Sequence, residues 1–213
     1  MIHPNPYATL MRGTSPSACN AFDAHVLASV LAIASVESDG DGLAFLAGIG
    51  LDRASLLELV WHVFPDVHGS LAAAIPDDAT VTAGENEIYL RDLLARNTSD
   101  GSALELCLAT MIARRCQRPN HLWQDLGLRG RRELSWLMER HFAPLAVRNT
   151  KDMKWKKFLY RAICRDDGPL LCVAPSCAEC EDRQRCFGDE QGESLLGHPP
   201  DSNPTQALRE TPC

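Results

Sequence analysis

Most of the features that would announce a common activity are missing here. The chain has no Gly-rich phosphate loop and no Gly-x-Ser-x-Gly nucleophile turn, so neither a nucleotide-binding enzyme nor a serine hydrolase is suggested. It has no excess of positive charge. The 21 Lys and Arg against 28 Asp and Glu leave a net charge of −7, which does not suit a general nucleic-acid binder. No stretch reaches the ~18 apolar residues of a membrane span. The most apolar run, "AHVLASVLAIASV", is shorter and stops at Glu37 and Asp39. The opening, "MIHPNPYATLMRGTSPSACN", lacks a basic region followed by an apolar one, so no secretory signal is expected. Sustained period-two alternation is also missing, which argues against strands. A soluble, cytoplasmic protein without a membrane or nucleic-acid partner is expected.

What is present is helical. Hydrophobic residues make up 45% of the 213, enough for a real core. Residues 20–36 read as a largely buried helix. "DRASLLELVWHVF" follows a candidate N-cap, Asp52, and puts Leu56, Leu59, Val60, Val63 and Phe64 on one face, with Pro65 as its stop. "ENEIYLRDLLARN" carries Leu90, Leu93 and Leu94. "SALELCLATMIARRC" opens with the capping-box pair Ser102 and Glu105. "RRELSWLMERHF" and "MKWKKFLYRAICR" complete the set, the last with Trp155, Phe158, Leu159, Ala162 and Ile163 facing inward. The expected fold is all-α: a compact multi-helix domain over 20–187, a cysteine-rich metal-binding loop at 172–186 within it, a flexible arm at 1–19 and a disordered tail at 188–213. Residues 50–65 and 127–144 echo one another, each with a Gly-Leu entry and a Leu-x2-Leu-x4-Phe stripe. The simpler reading is two similar amphipathic helices after similar turns; the other is a duplicated helix pair.

Nine cysteines in a reducing compartment do not suit a disulfide framework, and their odd number suits it less. Four of them, Cys172, Cys177, Cys180 and Cys186, fall in "LLCVAPSCAECEDRQRCFGDE" with the spacing Cys-x4-Cys-x2-Cys-x5-Cys. The spacers hold Ala174, Pro175, Ser176 and Ala178 and no large apolar side chain. Such a loop cannot offset its ordering entropy by burial. Metal–thiolate bonds can, since structural zinc alone contributes about 10–16 kcal/mol in small peptides. The first three cysteines match the ligand spacing of plant-type ferredoxins, and the fourth does not. The pattern favours an iron–sulfur site; a zinc staple and unmetallated thiols stay open.

Just before the cluster, residues 148–165 hold Arg148, Lys151, Lys154, Lys156, Lys157, Arg161 and Arg165 against Asp152. Lys154, Lys157 and Arg161 recur at helical spacing and are the candidate cofactor-binding residues. At ~10 Å and an effective dielectric of ~20, each is worth about 1.7 kcal/mol toward an anion before screening. They would offset cluster charge, attract an oxyanion such as molybdate, or dock an acidic partner. The plain alternative is a solvated polar face.

"NHLWQDLGL" (120–128), "RELSWLMERHFAPLA" (132–146), "NTKDMKWKKFLYRAIC" (149–164) and "CVAPSCAECEDRQRCFGDE" (172–190) together resemble the NifQ family, nitrogen-fixation proteins associated with molybdenum supply to the iron–molybdenum cofactor of nitrogenase. All four cysteine positions of the family's motif are filled. The resemblance implies a carrier, not a turnover enzyme, with no catalytic residues. It would hold a molybdenum–iron–sulfur (Mo–Fe–S) cluster fed from molybdate. The expected recipients are the nitrogenase iron protein and the scaffold complex of the iron–molybdenum cofactor (FeMo-cofactor). The rival readings are a ferredoxin-like electron-transfer protein and a zinc-stapled interaction module. Cys107 and Cys116 read as core residues, Cys164 as packed or auxiliary, and His121 and His141 as packed, hydrogen-bonded residues.

Overall fold

The computed structural model of the protein describes residues 5–15, 19–166, 186–188 and 190–198, with only the backbone of 164–166. Its secondary structure, among the described residues, is helical throughout: α1 (Pro6–Arg12), α2 (Ala21–Glu37), α3 (Gly42–Ile49), α4 (Arg53–Val63), α5 (Pro65–Ala74), α6 (Glu85–Ala95), α7 (Ala103–Arg115), α8 (Leu122–Asp125), α9 (Arg131–His141), α10 (Ala143–Ala146) and α11 (Trp155–Asp166). None of these helices is long and apolar enough to cross a membrane.

Helix α2 explains the architecture. Asn20 caps it by accepting the N–H of Asp23, and every residue from Phe22 to Ala34 is buried. A helix without a polar face must be covered on all sides. Helices α1 and α3 pack directly on it. Residues 6–12, read from sequence as part of a flexible arm, are therefore a capped helix with Leu10 fully buried. Asn5 accepts the N–H of Ala8, and Pro6 starts the first turn, where its missing N–H costs nothing.

The predicted caps are present. Asp52 accepts the Ser55 N–H at 2.9 Å, and Ser102 and Glu105 close a reciprocal capping box on α7. Pro65 ends α4 as expected, but it also opens α5. The echo between 50–65 and 127–144 extends into the backbone. Each stretch begins at a left-handed glycine, Gly50 (φ +86°) and Gly127 (φ +72°). Each helix ends at a fully buried Phe of similar conformation, Phe64 (φ −132°, ψ 61°) and Phe142 (φ −135°, ψ 45°). Each hands over to a helix with Pro in its first turn.

Buried charges join distant parts of the chain. His25 Nε2 lies 3.0 Å from Glu133 Oε2, with both side chains 0% exposed. His141 Nε2 lies 2.8 Å from Asp23 Oδ1. The Arg115 guanidinium, wholly buried, grips Glu37 with two hydrogen bonds of 2.7 and 2.9 Å and donates to the Asp125 carbonyl.

Candidate functional site

The site is organised around α11, which packs on α6 and is tied to α9 through Trp155 Nε1 and Ser135 Oγ (3.2 Å). Lys154 is its N-cap. The Lys154 carbonyl accepts the Phe158 N–H at 2.9 Å, and the Lys154 N–H donates to the carbonyl of Cys186 at 2.8 Å. Cys186 and Phe187 are half-buried against the core. The last predicted thiol is therefore fixed to the start of α11, while the chain runs toward Cys172 from the other end of the helix. Twelve residues separate the two ends, about 18 Å of helix. Cys172, Cys177 and Cys180 lie outside the described residues, as does the Cys164 side chain.

The other thiols are placed differently. Cys116 is buried, and burial pushes its thiol up to about 12, with nearby Lys156 lowering it only in part. Burial, with the charges of Glu58 and Asp52, also raises the Cys107 thiol. Since the thiolate is the metal ligand, both behave as protonated core residues. Cys19 is half-buried against the core. No three His, Cys, Asp or Glu side chains among the described residues are grouped to hold a metal ion.

The basic residues divide into separate roles. Lys156 is structural: its Nζ donates to the carbonyls of Arg118 and Asn120, both at 2.6 Å, and to the buried Asp125 carboxylate. Lys157 is exposed and Lys154 half-buried. Arg161 lines a cavity of about 250 Å³ beside Arg148 and Lys151, with Met153, Phe158 and Ala162 as apolar lining. Helical spacing put Lys154 and Lys157 with Arg161; the cavity brings Arg148 and Lys151 to it. Both come from the loop after α10, where no periodicity marks a shared surface.

Beyond Cys186 the chain returns across the body. Residues 190–198, read from sequence as tail, cover α8, α9 and α1. The Glu190 carboxylate, 4% exposed, lies 3.6 Å from His121 Nδ1 and 3.7 Å from Arg131 Nη1. The Glu193 carbonyl accepts from Gln124 Nε2 at 3.0 Å. A Cβ on Gly127 would stand 2.7 Å from the Ser29 carbonyl and 2.9 Å from Leu196, so this crossing requires glycine. His198 stacks edge-on against Tyr7, whose hydroxyl bonds His25 Nδ1 at 2.8 Å. His141, buried and 2.8 Å from Asp23, fits a packed, hydrogen-bonded role, whereas the His121 side chain is 33% exposed and only near Glu190.

Known proteins give a consistent picture. The family model described as NifQ matches residues 26–188. A NifQ homologue of Sinorhizobium fredii is 38% identical over 81% of this chain and 75% of its own length. The NifQ protein of Azotobacter vinelandii is 36% identical over 73% of this chain and 85% of its own. That of Rhodobacter capsulatus is 34% identical over 89% of this chain and 100% of its own. No solved structure matches. With a family model spanning most of its length and relatives aligned over most of theirs, the chain belongs to the NifQ family of nitrogen-fixation proteins.

Proposed function

We propose that the protein is a cytoplasmic carrier that holds a Mo–Fe–S cluster on Cys172, Cys177, Cys180 and Cys186 and donates molybdenum for FeMo-cofactor assembly. The nitrogenase iron protein and the cofactor scaffold complex are the proposed recipients. The observation that carries this reading is the anchoring of Cys186 on the N-cap of α11, the helix whose other end leads into the remaining three cysteines. The donor set fits the cargo, since soft thiolates select iron–sulfur clusters. A sulfide-bridged cluster supplies a place for molybdenum among its metals. The chain supplies the thiolates, a fixed point for one of them and positive charge on the same helix to offset an anionic cargo. Delivery, not turnover, is the function.

The test is anaerobic purification from cells fed iron and molybdate, with iron, molybdenum and zinc counted per chain beside an EPR spectrum. Iron with molybdenum and a cluster signal supports the carrier. Iron without molybdenum favours electron transfer. One zinc and no iron makes the cysteines a structural staple. Cys177→Ala or Cys180→Ala should abolish cluster retention and leave the helices intact; full iron content in both variants would remove the site assignment.

A further inference from the structure

Residues 50–65 and 127–144 share more than their glycine, phenylalanine and proline. The first residue of each helix is an arginine, Arg53 in α4 and Arg131 in α9, three positions before the matching Leu56 and Leu134. Each arginine grips the chain at or beyond the end of the proline helix. Arg53 donates to the carbonyls of Ile75 and Ala72 at 3.2 and 3.0 Å and pairs with Asp77 at 2.7 Å. Arg131 donates to the carbonyls of Met153 and Asp152 at 3.2 and 2.8 Å and to the Asp152 carboxylate at 2.8 Å. The two side chains are also alike in burial, 24% and 20% exposed. They differ in reach. Among the described residues the Arg53 contacts fall on one stretch of chain, 72–77. Arg131 also meets a second: its Nη1 lies 3.7 Å from Oε1 of Glu190, a side chain 4% exposed and four residues beyond Cys186. A buried carboxylate costs stability unless a cation faces it. His121, 3.6 Å away, is charged only if protonated, whereas the charge of Arg131 does not titrate.

The peptide between Met153 and Lys154 joins these contacts. It is trans and planar, so its carbonyl and its N–H point opposite ways. The Met153 oxygen is held by Arg131 and, at 2.9 Å, by Asn149 Nδ2. The N–H on the other side of that plane is the one that bonds the Cys186 carbonyl at 2.8 Å. Fixing the oxygen fixes the direction of the N–H, and a carbonyl that accepts hydrogen bonds makes the N–H of its own peptide a stronger donor. We propose that Arg131 is a positioning residue for Cys186. It acts from two sides, through the peptide that binds the Cys186 carbonyl and through Glu190 on the chain beyond. The matching clamp, Arg53, serves the fold alone. The effect on a bound metal rests on the carrier reading; the placement of Cys186 does not.

The experiment compares Arg131→Gln with Arg53→Gln in the full chain, anaerobically purified. Thermal circular dichroism should show a lower Tm in both, since each loses hydrogen bonds from a charged donor. Hydrogen exchange across residues 186–198 should quicken about tenfold in Arg131→Gln, the factor expected for one such bond, and stay parental in Arg53→Gln. Iron loss to a chelator should quicken in Arg131→Gln alone. Arg131→Lys keeps a charge near Glu190 without the forked grip; it carries less risk to folding and should give the same changes at smaller size. In a Glu190→Gln background the effect of Arg131→Gln on exchange should shrink, because one side of the link is already gone. Exchange that is equal in Arg131→Gln and Arg53→Gln overturns the proposal, and so does faster exchange with iron lost at the parental rate. A parent chain without iron removes the carrier reading instead, and the exchange comparison alone then decides the placement of Cys186.

Discussion

The main-chain N–H of Lys154 donates to the carbonyl oxygen of Cys186 at 2.8 Å. The first four N–H groups of a helix lack partners within it, and here one of them is satisfied by the last residue of the cysteine pattern. The bond is made by backbone, so its contribution separates from the charge of the lysine side chain.

Lys154→Ala keeps the N–H and Lys154→Pro removes it. Loss of one such bond costs about 1 kcal/mol. Iron loss to a chelator, followed in the anaerobic protein, should be faster in the proline variant than in the alanine variant, which carries the loss of the side-chain charge alone. Equal rates in both would show that the anchor does not steady the proposed metal site.

The buried thiols should stand apart from the four proposed as metal ligands. Cys116, held up to about 12 by burial, should resist alkylation at mildly alkaline pH until the protein unfolds. Cys107→Ser and Cys116→Ala should hold as much iron per chain as the parent. Mass spectrometry of the alkylated peptides and metal analysis check both statements.

Glu133→Ala strands His25 in the core and removes an acceptor for the Arg129 N–H, which lies 2.9 Å from the carboxylate. Breaking a buried pair from one side costs about 3 kcal/mol or more. For a domain of this size that corresponds to a Tm lower by roughly 6–12 °C, read by thermal circular dichroism. A negligible shift would mean that the pair contributes nothing.

Acid should loosen the return segment. Burial, then the nearby charges of His25 and Arg129, lower the His198 imidazole to about 4 in the folded protein, with Glu133 opposing them. Tyr7 completes its surroundings. A histidine whose folded value is depressed contributes stability above its ordinary value of 6.5 and loses it as pH falls toward 4. Hydrogen exchange across residues 190–198 should therefore rise through that window, and His198→Phe should flatten the rise. Exchange independent of pH, after correction for the intrinsic rate, would refute this.

The helices that announced themselves in the sequence had caps and stripes: Asp52 for α4, Ser102 with Glu105 for α7, the Leu and Trp spacing of α9 and α11. The missed ones, α1, α3, α5, α8 and α10, are short, and their signals are not periodic. Pro65 was legible as a stop, but Pro also favours the first turn of a helix, and α5 uses it so. The pairings of Asp23 and His25 were not legible because their partners lie more than a hundred positions away. The cysteine spacing reads as a ligand pattern because ligand spacing is local in sequence, but Cys172, Cys177 and Cys180 lie outside the described residues. The cation cavity was not, because a loop and a helix build it together and only the fold brings Arg148 and Lys151 to Arg161.

The position of α2 has a consequence during synthesis. Among the described helices it is the most thoroughly buried, yet it leaves the ribosome before its partners, carrying Asp23, His25 and Glu37. His25 waits for Glu133, 108 residues later, and Asp23 for His141, 118 residues later. At about 5–20 residues per second, that delay is on the order of 5–25 s. For that interval an apolar helix with unmatched polar groups is exposed to solvent, which makes the nascent chain a natural client for chaperones and ties the yield of folded protein to translation speed.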